Sequence, residues 1–318
     1  MKKKLFWMAS LCVALGSVMA LAGCAAMDFN FRNLNKDKGE NKVFEIKETF
    51  DKISINVDTT DVKFTLASEG TAPTITYTEH KKMPYTISVE NQTLSISITD
   101  ERKWYDHIGI FFDDLTMEIC LPSSAYASLT LESDTSDVYM PNGFTFTNAS
   151  LETDTGDIVW SANVTQSLVL STDTGDVDVK NCTLGSAQIT TSTGDVDVEN
   201  LNVSGALQIT RTTGDAELNS VQCAELSVIS STGDVEMRSV VATQKMYVET
   251  STGDVEFNDI DAPSMQFKTN TGDVEGRLQS GKIFTYATDT GDVRLPANGD
   301  NGTCHIQTDT GDIKITVR

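Results

Sequence analysis

Along this chain apolar and polar residues alternate in short runs, and from Leu129 the alternation repeats with a fixed period. The tripeptide Thr-Gly-Asp returns with its glycine at Gly156, Gly175, Gly194, Gly214, Gly233, Gly253, Gly272, Gly291 and Gly311, at intervals of 19 or 20 residues. Counting from that glycine as zero, position −5 holds Leu131, Leu151, Leu170, Ile189, Ile209, Val228, Val248, Phe267, Tyr286 and Ile306. Position +2 holds Val138, Ile158, Val177, Val196, Ala216, Val235, Val255, Val274, Val293 and Ile313. Position +4 is apolar from Met140 and Trp160 to Leu295 and Ile315, broken only by Gly276. Apolar residues two apart on both sides of a glycine predict two short strands per coil, folded back at Thr-Gly-Asp. A second bend is expected near +7 to +10, where coil length varies and Pro263 falls, with Pro296 just ahead of it at +5. One such coil buries too little to fold alone, so equivalent residues must stack in parallel ladders ~4.8 Å apart. The predicted fold is all-β, a parallel β-solenoid of about 19–20 residues per coil with an N-terminal β cap.

Ahead of the array, seven half-buried strands are expected around Phe44–Ile46, Ile53–Val57, Val62–Leu66, Ile75–Tyr77, Ile87–Val89, Leu94–Ile98 and Met117–Ile119. Residues 43–128 are assigned as the cap and irregular first coils, and 129–318 as the regular repeats, the two forming one continuous domain. A degenerate corner, Asp134-Thr-Ser-Asp137, extends the array by one coil, and Asp58-Thr-Thr-Asp61 lies 137 − 61 = 76 residues earlier. Seventy-six is four times nineteen, which suggests that the register persists through the unmatched part. An insertion from Asp100 to Asp114 brings Trp104, Tyr105, His107, Phe111 and Phe112. At the other end, Ile313–Arg318 is expected to complete the last coil and leave an edge blunted by Lys314 and Arg318.

The first 23 residues do not fit this pattern. Lys2, Lys3 and Lys4 precede an apolar run ending in Leu21-Ala22-Gly23-Cys24, the layout of a secretory signal over 1–23. A cysteine directly after Leu-Ala-Gly resembles the bacterial lipobox, which makes Cys24 the expected lipidation site and 24–42 a lipidated, flexible tether. Removing 1–23 takes three lysines and no acid, so the net charge of −22 becomes −22 − 3 = −25. A surface this acidic excludes nucleic acid as a partner and favours attraction of cations. Cys120, Cys182, Cys223 and Cys304 follow no zinc spacing and are expected to be small buried residues, not disulfides.

Three columns could carry chemistry. Glycine at zero is expected to supply positive φ. Threonines at −1 and −3 share the parity of −5 and are expected to point inward. Aspartate at +1 recurs from Asp137 to Asp312, and +3 adds further acids on the same outward face. Stacked carboxylates ~4.8 Å apart repel by something near 1 to 3 kcal/mol per pair, so each coil must offset that repulsion. Two readings stand. Each aspartate accepts an N–H in its own bend, or calcium sits between stacked carboxylates. The candidate cation ligands are Asp176, Asp178, Asp195, Asp197, Asp215, Glu217, Asp234, Glu236, Asp254, Glu256, Asp273 and Glu275; no other cofactor is expected.

His80, His107 and His305 are scattered, and no nucleotide-binding glycine loop or Gly-x-Ser-x-Gly elbow is present. The expected function is therefore not catalytic, although a polysaccharide-acting β-helix enzyme is the reading to test against. Glu118-Ile-Cys-Leu-Pro122, Leu129-Thr-Leu131, Asp134-Thr-Ser-Asp-Val138 and the serial Thr-Gly-Asp-Val coils resemble a bacterial family of β-strand-repeat domains of unknown function, classed among candidate adhesins. The resemblance covers about residues 43–318. It implies a right-handed, single-domain solenoid and brings no catalytic residues. The expectation is a lipid-anchored, outward-facing envelope protein that acts in adhesion or binding toward a surface glycan or protein. The alternative is a structural or regulatory lipoprotein working through a protein partner.

Overall fold

The computed structural model describes residues 39–99, 101 and 115–318. Cys24, the signal segment and the insertion around Trp104 and Tyr105 lie outside the described residues. Among those described, 25 strands and no helix are found. The seven strands expected ahead of the array are all present: β1 (Glu40–Glu45), β2 (Lys52–Val57), β3 (Thr60–Leu66), β4 (Thr74–Glu79), β5 (Tyr85–Glu90), β6 (Thr93–Ile98) and β7 (Leu115–Leu121). After them come β8 (Ala125–Thr135) and β9 (Val138–Met140), the two limbs of the first regular coil. The twelve strands β10 to β21 run from Thr145 to Leu278, ending in β20 (Ser264–Thr271) and β21 (Val274–Leu278). The last four are β22 (Ile283–Ala287), β23 (Val293–Arg294), β24 (Thr303–Thr310) and β25 (Ile313–Val317).

The strands before each glycine stack in one parallel ladder and those after it in a second, with like positions in register, as in Leu151 beside Leu170 and Ile158 beside Val177. The apolar columns face the core between the ladders. Nine of the ten residues at −5 and nine of the ten at +2 are buried, the exceptions being Tyr286 and Val293 of one coil. Gly276 interrupts the +4 column because a Cβ there would lie 2.3 Å from the Phe257 ring of the coil beneath. The space that glycine leaves lets Phe257 stack on Phe267 with ring centroids 4.8 Å apart.

Coil order departs from chain order at both ends, which the repeat alone does not reveal. β2 and β3 stack directly against β8 and β9, with Ile55 beside Leu131 and Val62 beside Val138. The corner 76 residues away is thus the next rung and not the fourth. The intervening chain passes outside it, where β6 and β7 form the outer coil on β2 and β3, and β1, β4 and β5 add antiparallel strands. At the other end, β24 lies between β20 and β22, and β25 between β21 and β23. The chain skips one slot, builds the outermost coil, and returns to fill the gap with its final strands. Contrary to expectation, Ile313–Arg318 is no edge. Lys314 pairs with Glu275 at 2.5 Å and Asp312 at 3.2 Å, and the outer edge belongs to β22 and β23. Lys282, almost wholly buried, fixes the crossing by donating to Asp261 and to the carbonyl of Asn301.

Candidate functional site

Two corners line the stack, and each presents a polar face. At the Thr-Gly-Asp corner the glycines have φ from +125° to +157°. Conformation is only half of the requirement. A Cβ on Gly194 would sit 2.0 Å from the carbonyl oxygen of Gly175, so the backbones of successive coils touch at this point. Ser136 is absent from the positive-φ residues, which is how a side chain fits there. The threonine at −3 points inward as expected and donates to the glycine carbonyl of the preceding coil, as Thr191 does to Gly175 at 3.2 Å and Thr308 to Gly272 at 3.0 Å. The threonine at −1 does not. Thr155, Thr174 and Thr193 are exposed because the strand begins to turn before the glycine, which places −2 and −1 both outside.

Each +1 aspartate but Asp292 accepts an N–H, from the neighbouring coil instead of its own bend. Asp157 N–H reaches Asp137 Oδ1 at 2.9 Å, and the same bond links Asp176 to Asp157, Asp195 to Asp176, Asp215 to Asp195 and Asp234 to Asp215. It continues through Asp254 and Asp273, passes to Asp312 and ends at Asp292, following coil order instead of chain order. The degenerate corner joins too, with Asp137 N–H on Asp61 Oδ1 at 2.9 Å. Backbone donors thus hold one oxygen of every carboxylate in the column but the last, Asp292, which offsets the repulsion. Cations at the flanks do the rest, with Lys180 3.1 Å from Asp178 and Arg238 reaching both Glu217 and Glu236. The Asp292 N–H and Lys314 hold the Asp312 carboxyl below the usual range.

Of the twelve candidate cation ligands, the +1 set is brought into this ladder and the +3 set into a parallel column beside it. Asp157, Asp176, Asp178, Asp195 and Asp197 line a recess of about 190 Å³ between the two columns. Burial there, with Asp178 alongside, raises the Asp197 carboxyl above its ordinary value. Among the described residues no three or more His, Cys, Asp or Glu lie together as a metal site. One residue departs from the Thr and Ser hydroxyls of the −3 column. Arg211 is 3% exposed, reaches the Asp234 carbonyl through Nη2 at 2.5 Å, and leaves Nε and Nη1 buried without a partner. Burial pushes its guanidinium down to about 10, against the pull of Asp215, Asp195 and Asp234.

The second corner falls at +6, one residue before the expected bend. Asn181, Asn200, Ser220, Ser239 and Asp259 occupy it with φ between +54° and +64°, the left-handed region that Asn and Asp tolerate. Beside it runs a groove of about 430 Å³, lined by Asn163, Asn181, Asn200, Asn202, Ser220 and Gln222, with no charged side chain among its walls. Asn200 Nδ2 donates to Asn181 Oδ1 at 3.0 Å, and Asn163 Oδ1 accepts the Thr183 N–H at 2.8 Å. The sequence carried a signal for this site in the Asn and Ser at +6, which the insistence of Thr-Gly-Asp overshadowed. Cys182 forms the floor of the groove; Cys182, Cys223 and Cys304 are free and buried, and burial pushes their thiols up to about 12.

A stack of parallel coils with a glycine corner and an aspartate rung defines a β-solenoid repeat domain. The chain belongs to the Toastrack DUF4097 family, which matches residues 50–239 and 206–318. No curated protein matches it. Among solved structures, a candidate lipid-binding protein from Parabacteroides distasonis is 15% identical, over 75% of this chain and 97% of its own, with a TM-score of 0.47. A candidate adhesin from Bacteroides fragilis is 14% identical over 88% and 97%, with a TM-score of 0.37. A candidate adhesin from Parabacteroides merdae is 13% identical over 88% and 97%, with a TM-score of 0.24.

Proposed function

We propose that this chain is a non-catalytic binding module of the bacterial envelope, exported, lipid-anchored through Cys24, and adhesive toward an uncharged, hydroxyl-rich ligand such as a surface glycan. The observation that supports this reading is the groove at the +6 corner. Its exposed carboxamides offer both donors and acceptors at successive rungs, its size suits a small-molecule or oligosaccharide segment, and no charge in it demands an ion. At the acidic corner the +1 aspartates already hold backbone N–H groups, whereas the carboxamides of Asn202 and Gln222 in the groove are exposed.

Binding of the chain to an array of envelope and host-surface glycans tests the ligand class. A hit that weakens at least about tenfold in Asn202→Ala/Gln222→Ala, with an unchanged melting curve, supports the groove. Both residues are exposed and lie outside the left-handed positions. Capture of an envelope protein and no glycan would favour the regulatory reading instead. Turnover of an envelope polysaccharide that vanishes in Asp215→Asn/Asp234→Asn would make the chain an enzyme. Metabolic labelling with a fatty acid, lost in Cys24→Ala, tests the anchor.

A further inference from the structure

The two ends of the stack are finished differently. At the N-terminal end the antiparallel strands β1, β4 and β5 close the outer coil, and the β1 edge carries Glu40, Lys42 and Glu45. At the C-terminal end β22 and β23 pair on one side only among the described residues. Charges, prolines or coverings blunt most free edges in natural proteins, yet Ile283–Ala287 contains no charged residue. Tyr286 is 55% exposed although it occupies the inward −5 column, where every other copy is buried, and Ile283 is 48% exposed. Val293 and Leu295 of the same coil are only half-buried.

The backbone at this edge is also incompletely used. Ile283 N–H donates into the stack, to Gly302 O at 2.8 Å, whereas Phe284 N–H turns outward and is capped by Asn298 Oδ1 at 3.0 Å. By the alternation of a strand, the Tyr286 amide turns outward as well.

We propose that two copies of this chain join end to end here, with β22 pairing antiparallel to its equivalent about a two-fold axis at Tyr286. This register lets the two Tyr286 residues exchange N–H···O bonds, sets Thr285 opposite Ala287, and stops short of Phe284, whose outward N–H is already taken by Asn298. It brings no like charges together within the strand and continues the −5 core column of one copy into that of the other. The contact is isologous and closes on itself, so it gives a dimer and not a fibre. The charged, antiparallel N-terminal end offers β22 no such match, which argues against head-to-tail stacking.

Light-scattering mass of the full chain is expected to show a dimer, and Tyr286→Lys a monomer with unchanged circular dichroism. Tyr286→Cys should oxidise to a covalent dimer, because the other described cysteines are buried or half-buried. A monomeric wild type overturns the proposal, as does a dimer that survives Tyr286→Lys or a Tyr286→Cys chain that does not cross-link. Hydrogen exchange showing the β22 amides protected within a monomer would overturn it too, because the edge would then be covered without a second copy.

Discussion

At the scale of single residues, what a position does follows from which neighbours its backbone touches. Gly194→Ala places a Cβ 2.0 Å from a backbone oxygen that cannot move without breaking its own ladder, so it should destabilise by on the order of 3 kcal/mol or more in chemical unfolding. Arg211→Thr should act in the opposite sense. Two buried donors without partners cost about 1–3 kcal/mol each, more than the ~1 kcal/mol or less that one cation contributes beside screened surface carboxylates. Restoring the hydroxyl of the −3 column should therefore raise the melting temperature. Asp197 gives a pH test. Its carboxyl is raised in the folded chain, so its charged form is disfavoured there; the deficit is full above the folded pKa and disappears as pH falls below the unfolded value of about 3.9. Asp197→Asn should thus stabilise at pH 7 and make no difference near pH 3. Glu249 has the other sign, since Lys268 and then Tyr247 lower its carboxyl, and its contribution is lost as pH falls through that lowered value. The inward columns −5, +2 and +4 were legible in the sequence because period two survives inside a strand. The −1 threonines were not, because period two was carried through a corner where two successive residues face out.

At the scale of elements, the ends carry what the repeat conceals. Coils with matching columns fit on one another in any order, so a period of 19 or 20 residues fixes the coil and leaves its place in the stack open. The order is instead set by singular contacts, such as buried Lys282 on Asp261 and Asn301, and the close approach of Gly299 to Gly281. Tucking the final strands between two others protects a terminus that would otherwise fray. Hydrogen exchange checks this directly: β24 amides should exchange as slowly as those of β20, and β22 amides faster than both. Rapid exchange throughout β24, as in a frayed chain end, would contradict the interleaved order.

At the scale of the whole molecule, a chain of net charge −22 stacks acids along one corner and amides along another. The acidic stripe is the more regular of the two in sequence, yet its +1 aspartates are occupied in joining one coil to the next. The amide corner is irregular in sequence, and only the folded stack gathers Asn163, Asn200 and Gln222 into one groove. That division of labour rests on the aspartates being a backbone ladder and not a calcium array. The direct test is chemical unfolding of the wild type and Asp215→Ala, each with and without calcium. The ladder predicts that the variant loses about 1.5–3 kcal/mol in both conditions, the worth of one charge-assisted hydrogen bond, and that calcium leaves the wild type unchanged. A wild type stabilised by calcium, with that gain abolished in Asp215→Ala, would contradict it.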